Sequence, residues 1–306
     1  MAGLLRAGCC TIGSTVRRRL ALLVATLPLV ACAPSEVRGS GFCAPPTIST
    51  PFSSEPPVAG ASSGESMAAL LGLGGALAGA VGDETMKVDV LARIQEAQLL
   101  IAGTRAELDC AAESARQVAD YLARKQSSTV QSLTIGSIAA AAVSGIVGVF
   151  LSTRQAASWT QDGAAVAGGV LSGGLGLGSL YVHANALYPH PRNLLADVWF
   201  GPNASATYPP IVWGYFTQAV FSNDQRAPIR EKILERWNQF EDIRKNDPVT
   251  VALLFGPGGT YDVANLRLRA TMLDEVKAEV ELMNQDIAAL AARLFREHWV
   301  GNRRVQ

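Results

Sequence analysis

The sequence predicts an all-α protein: two long heptad-patterned helices flanking a glycine-rich hydrophobic helical hairpin and an aromatic-rich helical insert. Three observations carry that expectation. Positions 91, 94, 98, 101, 105, 108, 112, 115, 119 and 122 step by three and four and are apolar at eight of ten, the exceptions being Gln98 and Arg105. Positions 266, 269, 273, 276, 280, 283, 287, 290 and 294 repeat the pattern and are apolar at eight of nine, Arg269 being the exception. A 3.5-residue repeat of this kind marks a helix packed lengthwise on another. Between the stripes lie two long uncharged runs and then an insert; Tyr181 and residues 183–261 together hold 13 of the 20 aromatic side chains.

The chain opens with Arg6, Arg17, Arg18 and Arg19, followed by an apolar stretch of 11 residues, Leu20 to Val30. That stretch is too short to span a bilayer as a helix and has the length of a signal-peptide core. Cleavage is expected between Ala31 and Cys32. The four residues Leu29, Val30, Ala31 and Cys32, "LVAC", resemble the lipobox of bacterial lipoprotein precursors. The resemblance implies that the Cys32 thiol receives a diacylglyceryl group, that the chain is cut before it, and that the new amine is acylated. Several acyl chains anchor stably where one is marginal, at about 0.8 kcal/mol per buried methylene. Residues 1–31 are then a signal peptide, the covalent lipid is the non-protein group, and no other cofactor is expected. Ala33 rather than aspartate follows the cysteine, which under enteric-type sorting implies the periplasmic side of the outer membrane. Insertion of the hairpin would instead favour the inner membrane.

Without residues 1–31 the chain keeps 22 basic and 26 acidic side chains, so it is mildly acidic. No basic stripe interleaved with aromatics appears, which argues against a nucleic-acid partner. Cys9 and Cys10 depart with the leader, leaving Cys43 and Cys110 beside the lipidated Cys32. In an oxidising envelope those two are a disulfide pair or two free thiols. Residues 32–66 are rich in proline, serine and glycine, cannot bury enough surface to fold alone, and read as a disordered tether. Gly60, Ser62 and Gly64 match G-x-S-x-G, but no strand precedes them, so a nucleophile elbow is not indicated.

The helical domain is expected over 67–306, with long helices at 84–131 and 262–299, the hairpin at 132–182 and the insert at 183–261. The two stripes pair as antiparallel coiled-coil-like helices or each faces a common bundle core. No ionisable side chain occurs from Gln126 to Thr153, a length sufficient to cross a bilayer. Gly136, Ala140, Ser144 and Gly148 recur every four residues there, and Gly168, Ser172 and Gly176 do the same in the second run. Such small-residue faces let helix backbones approach closely, in a membrane or in a soluble assembly. Nine strongly apolar residues from Leu133 to Leu151 favour insertion by roughly 3–5 kcal/mol, which the serines and glycines partly offset. In the insert, Pro209 and Pro210 should open a short buried helix. Pro228 should open another, with Ile229, Ile233, Trp237, Phe240 and Ile243 on one face. "FGPGGTYD" reads as a turn into the final helix.

Chemistry is sparse. His183 and His190 lie seven residues apart without further metal ligands nearby, Gly173 to Ser179 follows no strand, and Glu241 and Asp242 point apart on a helix. The sequence therefore predicts no catalytic residue, no metal and no enzyme. It predicts a lipid-anchored envelope protein with a structural, scaffolding or interaction role, its partners being membrane lipid and either itself or another envelope protein. A membrane-inserting or pore-forming protein is the alternative. A binding protein or hydrolase needs a cleft with convergent polar groups.

Overall fold

The computed structural model describes residues 35–36, 43, 61–74, 84–153, 183–240, 243 and 248–296; of 35–36, 84, 140, 143–145 and 147–153 it describes the backbone alone. The chain divides into two units, Met1–Ala33 and Pro34–Gln306, and every described residue belongs to the second. Helices α1 (Ser63–Leu70), α2 (Glu84–Thr153), α3 (Leu194–Phe200), α4 (Pro210–Thr217), α5 (Ile229–Phe240), α6 (Pro248–Phe255) and α7 (Val263–Leu294) make the protein mostly helical. Three short strands accompany them, β1 (Ser35–Glu36), β2 (Ala186–Pro189) and β3 (Gly258–Tyr261).

The two striped segments become α2 and α7 and lie antiparallel. Arg105 pairs with Glu281, Lys277 with Asp109 at 2.6 Å, Arg116 with Asp274, and Arg267 with Asp120 at 3.5 Å, so numbers fall along α7 as they rise along α2. Exposed ion pairs like these contribute little stability. Burial of the stripes contributes more: Ile94, Ile101, Leu108, Ala112, Ala115, Ala119 and Leu122 of α2 are buried, as are all nine stripe positions of α7. Leu91 departs from its stripe and is 42% exposed. The α2 stripe turns to alanine at 112, 115 and 119, which leaves room for the larger Leu266, Leu273 and Val276 opposite.

The expected break at residue 131 is absent, and α2 runs 70 residues without interruption. Its partner does not follow. Asp262 caps α7 by accepting from Asn265 N at 2.7 Å, and with Arg267 opposite Asp120 the packing ends near Leu122. Beyond Leu122 no described side chain of α2 is buried, and Ile135, Ile138 and Ile146 are each at least 59% exposed. These 28 uncharged residues, 126–153, form an arm.

The insert folds beside α7 as expected for its aromatic content. Ile211 to Phe216 of α4 are all buried, Trp199 stacks on Phe255 at 4.3 Å, and Trp237 lies 5.9 Å from the same ring. Helix α1 wedges in beside them; a Cβ on Gly214 would meet Leu70 Cδ2 at 2.7 Å, so glycine sets that approach. Two expectations for the insert need correction. Phe240 is 70% exposed, because α5 ends there and Ile243 reaches the core from outside the helix.

The other correction concerns the all-α expectation and the turn at "FGPGGTYD", which contains β3 instead. Strand β2 is the middle of a three-stranded sheet, parallel to β1 and antiparallel to β3. Gly258 opens β3 at φ 107°, and a Cβ there would lie 2.4 Å from Tyr188 O. Glycine is needed for both the backbone conformation and the close approach. The alternation of β2, Ala186 and Tyr188 inward and Leu187 outward, is too short to be read as a strand from sequence.

Candidate functional site

Two fixed points alter the expected tether at 32–66. Cys43 is bonded to Cys110 of α2, and Ser35–Glu36 pair with Ala186–Leu187 as strand β1. A third change comes at its end. Ser62 caps α1 in a capping box with Glu65, whose carboxylate accepts from Ser62 N at 2.8 Å and is held below the usual carboxylate range by that bond and by the Ser62 hydroxyl. The serine of the G-x-S-x-G match is therefore spent on starting a helix.

The lipidation site, Cys32, and the cleavage residue Ala31 lie outside the described residues, as do Gly168, Ser172 and Gly176. Gly136 lies half-exposed on the arm; Ala140, Ser144 and Gly148 lie on the same helix. Among the described residues no helix is long and apolar enough to cross a membrane.

A buried polar cluster occupies the seam between the sheet, α3, α6 and α7. Arg269 is 2% exposed, and its Nη1 donates to Asn193 Oδ1 at 3.1 Å and to Leu254 O at 2.9 Å. These are neutral oxygens, and burial lowers the pKa of the guanidinium. Asn193 ties three elements together. It caps α3 through Leu195 N at 3.2 Å, and its Nδ2 donates to Leu254 O and Gly256 O, each at 2.8 Å.

Next to it His190 Nε2 lies 2.8 Å from the Tyr261 hydroxyl, which itself donates to Leu253 O at 2.5 Å. The histidine nitrogen is therefore the donor in that pair. Burial, with the Arg269 charge behind it, pushes His190 down to about 3, and burial pushes Tyr261 up to about 12. On the α2 side Arg192 Nε donates to Glu107 Oε1 at 2.5 Å, and Tyr188 Oη donates to Ser114 Oγ at 3.1 Å. Nearly every contact ends on backbone or on another member, so the cluster fastens the sheet to α2 and α7. His183, by contrast, is exposed.

A cleft of about 200 Å³ lies between the segment after α4, α5 and α7. Tyr215 Oη donates to Asp286 Oδ2 at 2.8 Å, Lys232 Nζ lies 2.7 Å from Asp224, and Arg236 pairs with Glu279 at 3.3 Å. Lys232, Arg236 and Glu279 are thus taken up in ion pairs, and Asp286 accepts from a neutral phenol. Among the described residues no three His, Cys, Asp or Glu side chains stand together as metal ligands do. Sequence reasoning missed Arg269 as the centre of the buried cluster. The signal was its place as the single charged residue in an apolar stripe.

The chain matches no known family model, no curated protein and no solved structure.

Proposed function

We propose that the protein is a lipid-anchored component of a bacterial cell envelope, attached through Cys32, whose helical body has a structural, scaffolding or protein-interaction role and no catalytic one. The Cys43–Cys110 bond carries this reading. Disulfides persist in oxidising compartments, and this one lies eleven residues after the lipobox cysteine, where an exported chain would carry it. The coiled-coil-like pairing of α2 with α7 suits a rod-shaped spacer or scaffold. The run 163–182 is proposed to return along the arm as a hairpin, the face of Gly136, Ala140, Ser144 and Gly148 against that of Gly168, Ser172 and Gly176. Membrane lipid and a second copy or another envelope protein are its partners; nucleic acid is not.

A second reading, insertion of the hairpin into the bilayer, is favoured by the exposure of Ile135, Ile138 and Ile146. Replacement of Cys32 tests the main reading. Cys32→Ser should abolish the acyl mass on the N-terminal peptide and leave the leader uncut. Unchanged mass and processing would reject it.

A further inference from the structure

We infer that the lipid on Cys32 and the arm of α2 meet one and the same bilayer at one end of the body, so that the paired part of α2 and α7 stands outward from the membrane. This rests on the lipidation of Cys32 proposed above. Sheet register locates the anchor. Ser35 pairs with Ala186, which pairs with Tyr261, and Tyr261 directly precedes Asp262, the cap of α7. The first turns of α7 reach Asp120 of α2 through Arg267. Ser35 therefore sits at the end of the body where α7 begins. Three residues of chain advance at most about 10 Å. A lipid on Cys32 is confined to that end, and the long stand-off that residues 32–66 would otherwise allow is lost.

The arm leaves from the same end. Lys125 lies five residues past Asp120, about 8 Å along the helix. It is exposed, as is Arg124, and together they place two cations where anionic headgroups would meet them. No charge follows until Arg154. The intervening uncharged helix is about 42 Å long, and its exposed Ile135, Ile138 and Ile146 are the apolar side chains that would meet acyl chains.

Five of the arm's hydroxyls are satisfied from within. Ser128 and Thr129 each donate to Lys125 O at 3.0 Å, Ser132 to Ser128 O and Thr134 to Val130 O at 2.9 Å, and Ser137 to Thr134 O at 2.8 Å. Hydroxyls bonded to their own helix leave less to desolvate when water is removed. A bilayer is favoured over a second copy because the anchor holds the membrane within reach at any protein concentration. Insertion that is weak as a bimolecular event becomes intramolecular.

Full-length lipidated protein, reconstituted in phosphatidylethanolamine and phosphatidylglycerol vesicles, tests this with one environment-sensitive fluorophore at a time. Ala142→Cys lies within the uncharged stretch, Leu187→Cys beside β1, and Val88→Cys about 54 Å from the base of the arm along α2. Cys43 and Cys110 are paired and Cys32 is alkylated, so each variant offers one thiol. Acyl-chain nitroxide lipids should remove most of the Ala142 fluorescence, headgroup nitroxides should quench Leu187, and Val88 should respond to neither. A lipidated preparation in which Ala142 remains in water, or Leu187 is untouched, overturns the inference alone. A blue-shifted but unquenched Ala142 also overturns it, pointing to burial against protein. An N-terminal peptide without acyl mass overturns the lipid anchor and the inference together.

Discussion

The two parts of α2 share one unbroken backbone and differ in what surrounds it. Up to Leu122 the helix meets α7 over apolar side chains, is tied to the N-terminal segment at Cys110, and carries Glu107 and Ser114 into the seam beneath the sheet. Past Lys125 it carries no charge, buries none of its described side chains, and bonds five of its hydroxyls to its own backbone. In water a helix draws most of its stability from packing an amphipathic face, and serine, threonine, valine and glycine are weaker helix formers than alanine. The first part is held by its neighbours. The second has no such neighbour among the described residues.

That contrast breaks most sharply at Leu108, which is fully buried on the α2 stripe. Leu108→Asp removes apolar contact with α7 and buries a carboxylate among alkyl groups. The expected loss exceeds about 4 kcal/mol, enough to unfold a domain of ordinary stability. Circular dichroism melts of the full chain should show the cooperative transition collapse. A melting temperature within a few degrees of the parent would mean that the two stripes do not carry the body.

A smaller effect belongs to the body alone, because the arm has nothing to titrate. His190 packs beside Tyr261 and Tyr188, with the Arg269 charge close by, and its Nδ1 has no partner among the described residues. Its folded pKa of about 3 lies below the ordinary 6.5. Above pH 6.5 both folded and unfolded forms are neutral and the group has no effect. As pH falls from 6.5, the unfolded chain takes up a proton that the folded state refuses until about 3, so stability declines across that window. The slope is at most about 1.4 kcal/mol per pH unit, giving roughly 2 kcal/mol between pH 6.5 and 5. Urea titrations at those two pH values measure it. His190→Gln should remove most of the difference; an unchanged difference would assign the acid sensitivity elsewhere.

How much of this was legible follows from which interactions are periodic. The stripes at 91–122 and 266–294 were readable because every third or fourth side chain faces the same neighbour. Arg269 broke its stripe visibly, but its partners lie 76 residues away at Asn193 and 15 residues away in the carbonyl of Leu254, which no local pattern announces. Strands β2 and β3 were missed because four residues give too few alternations, and Gly258 and Gly259 look like a turn. The pairing of Cys43 with Cys110 was one of two open possibilities, since chemistry allows a disulfide and geometry decides it. The end of packing at Leu122 was illegible for another reason. It depends on where α7 starts, not on any residue of α2.

The smallest effect on the body is expected in the arm, where the same chemical change as at Leu108 separates stability from environment. Ile138 is 65% exposed and touches no part of the buried core. Ile138→Asp should leave the melting of the body unchanged within about 0.5 kcal/mol, as surface substitutions usually do. Membrane behaviour should respond instead. A carboxylate near the centre of a bilayer-embedded helix costs about 2.5–3.5 kcal/mol, so the arm of this variant should shift toward water while the lipid keeps the protein membrane-bound. Protease cleavage within 126–153, in vesicles carrying lipidated protein, reads that shift: slow for the parent and markedly faster for Ile138→Asp. Equal rates together with unchanged melting would mean that water already surrounds the arm, and the two parts of α2 would then differ in packing but not in solvent.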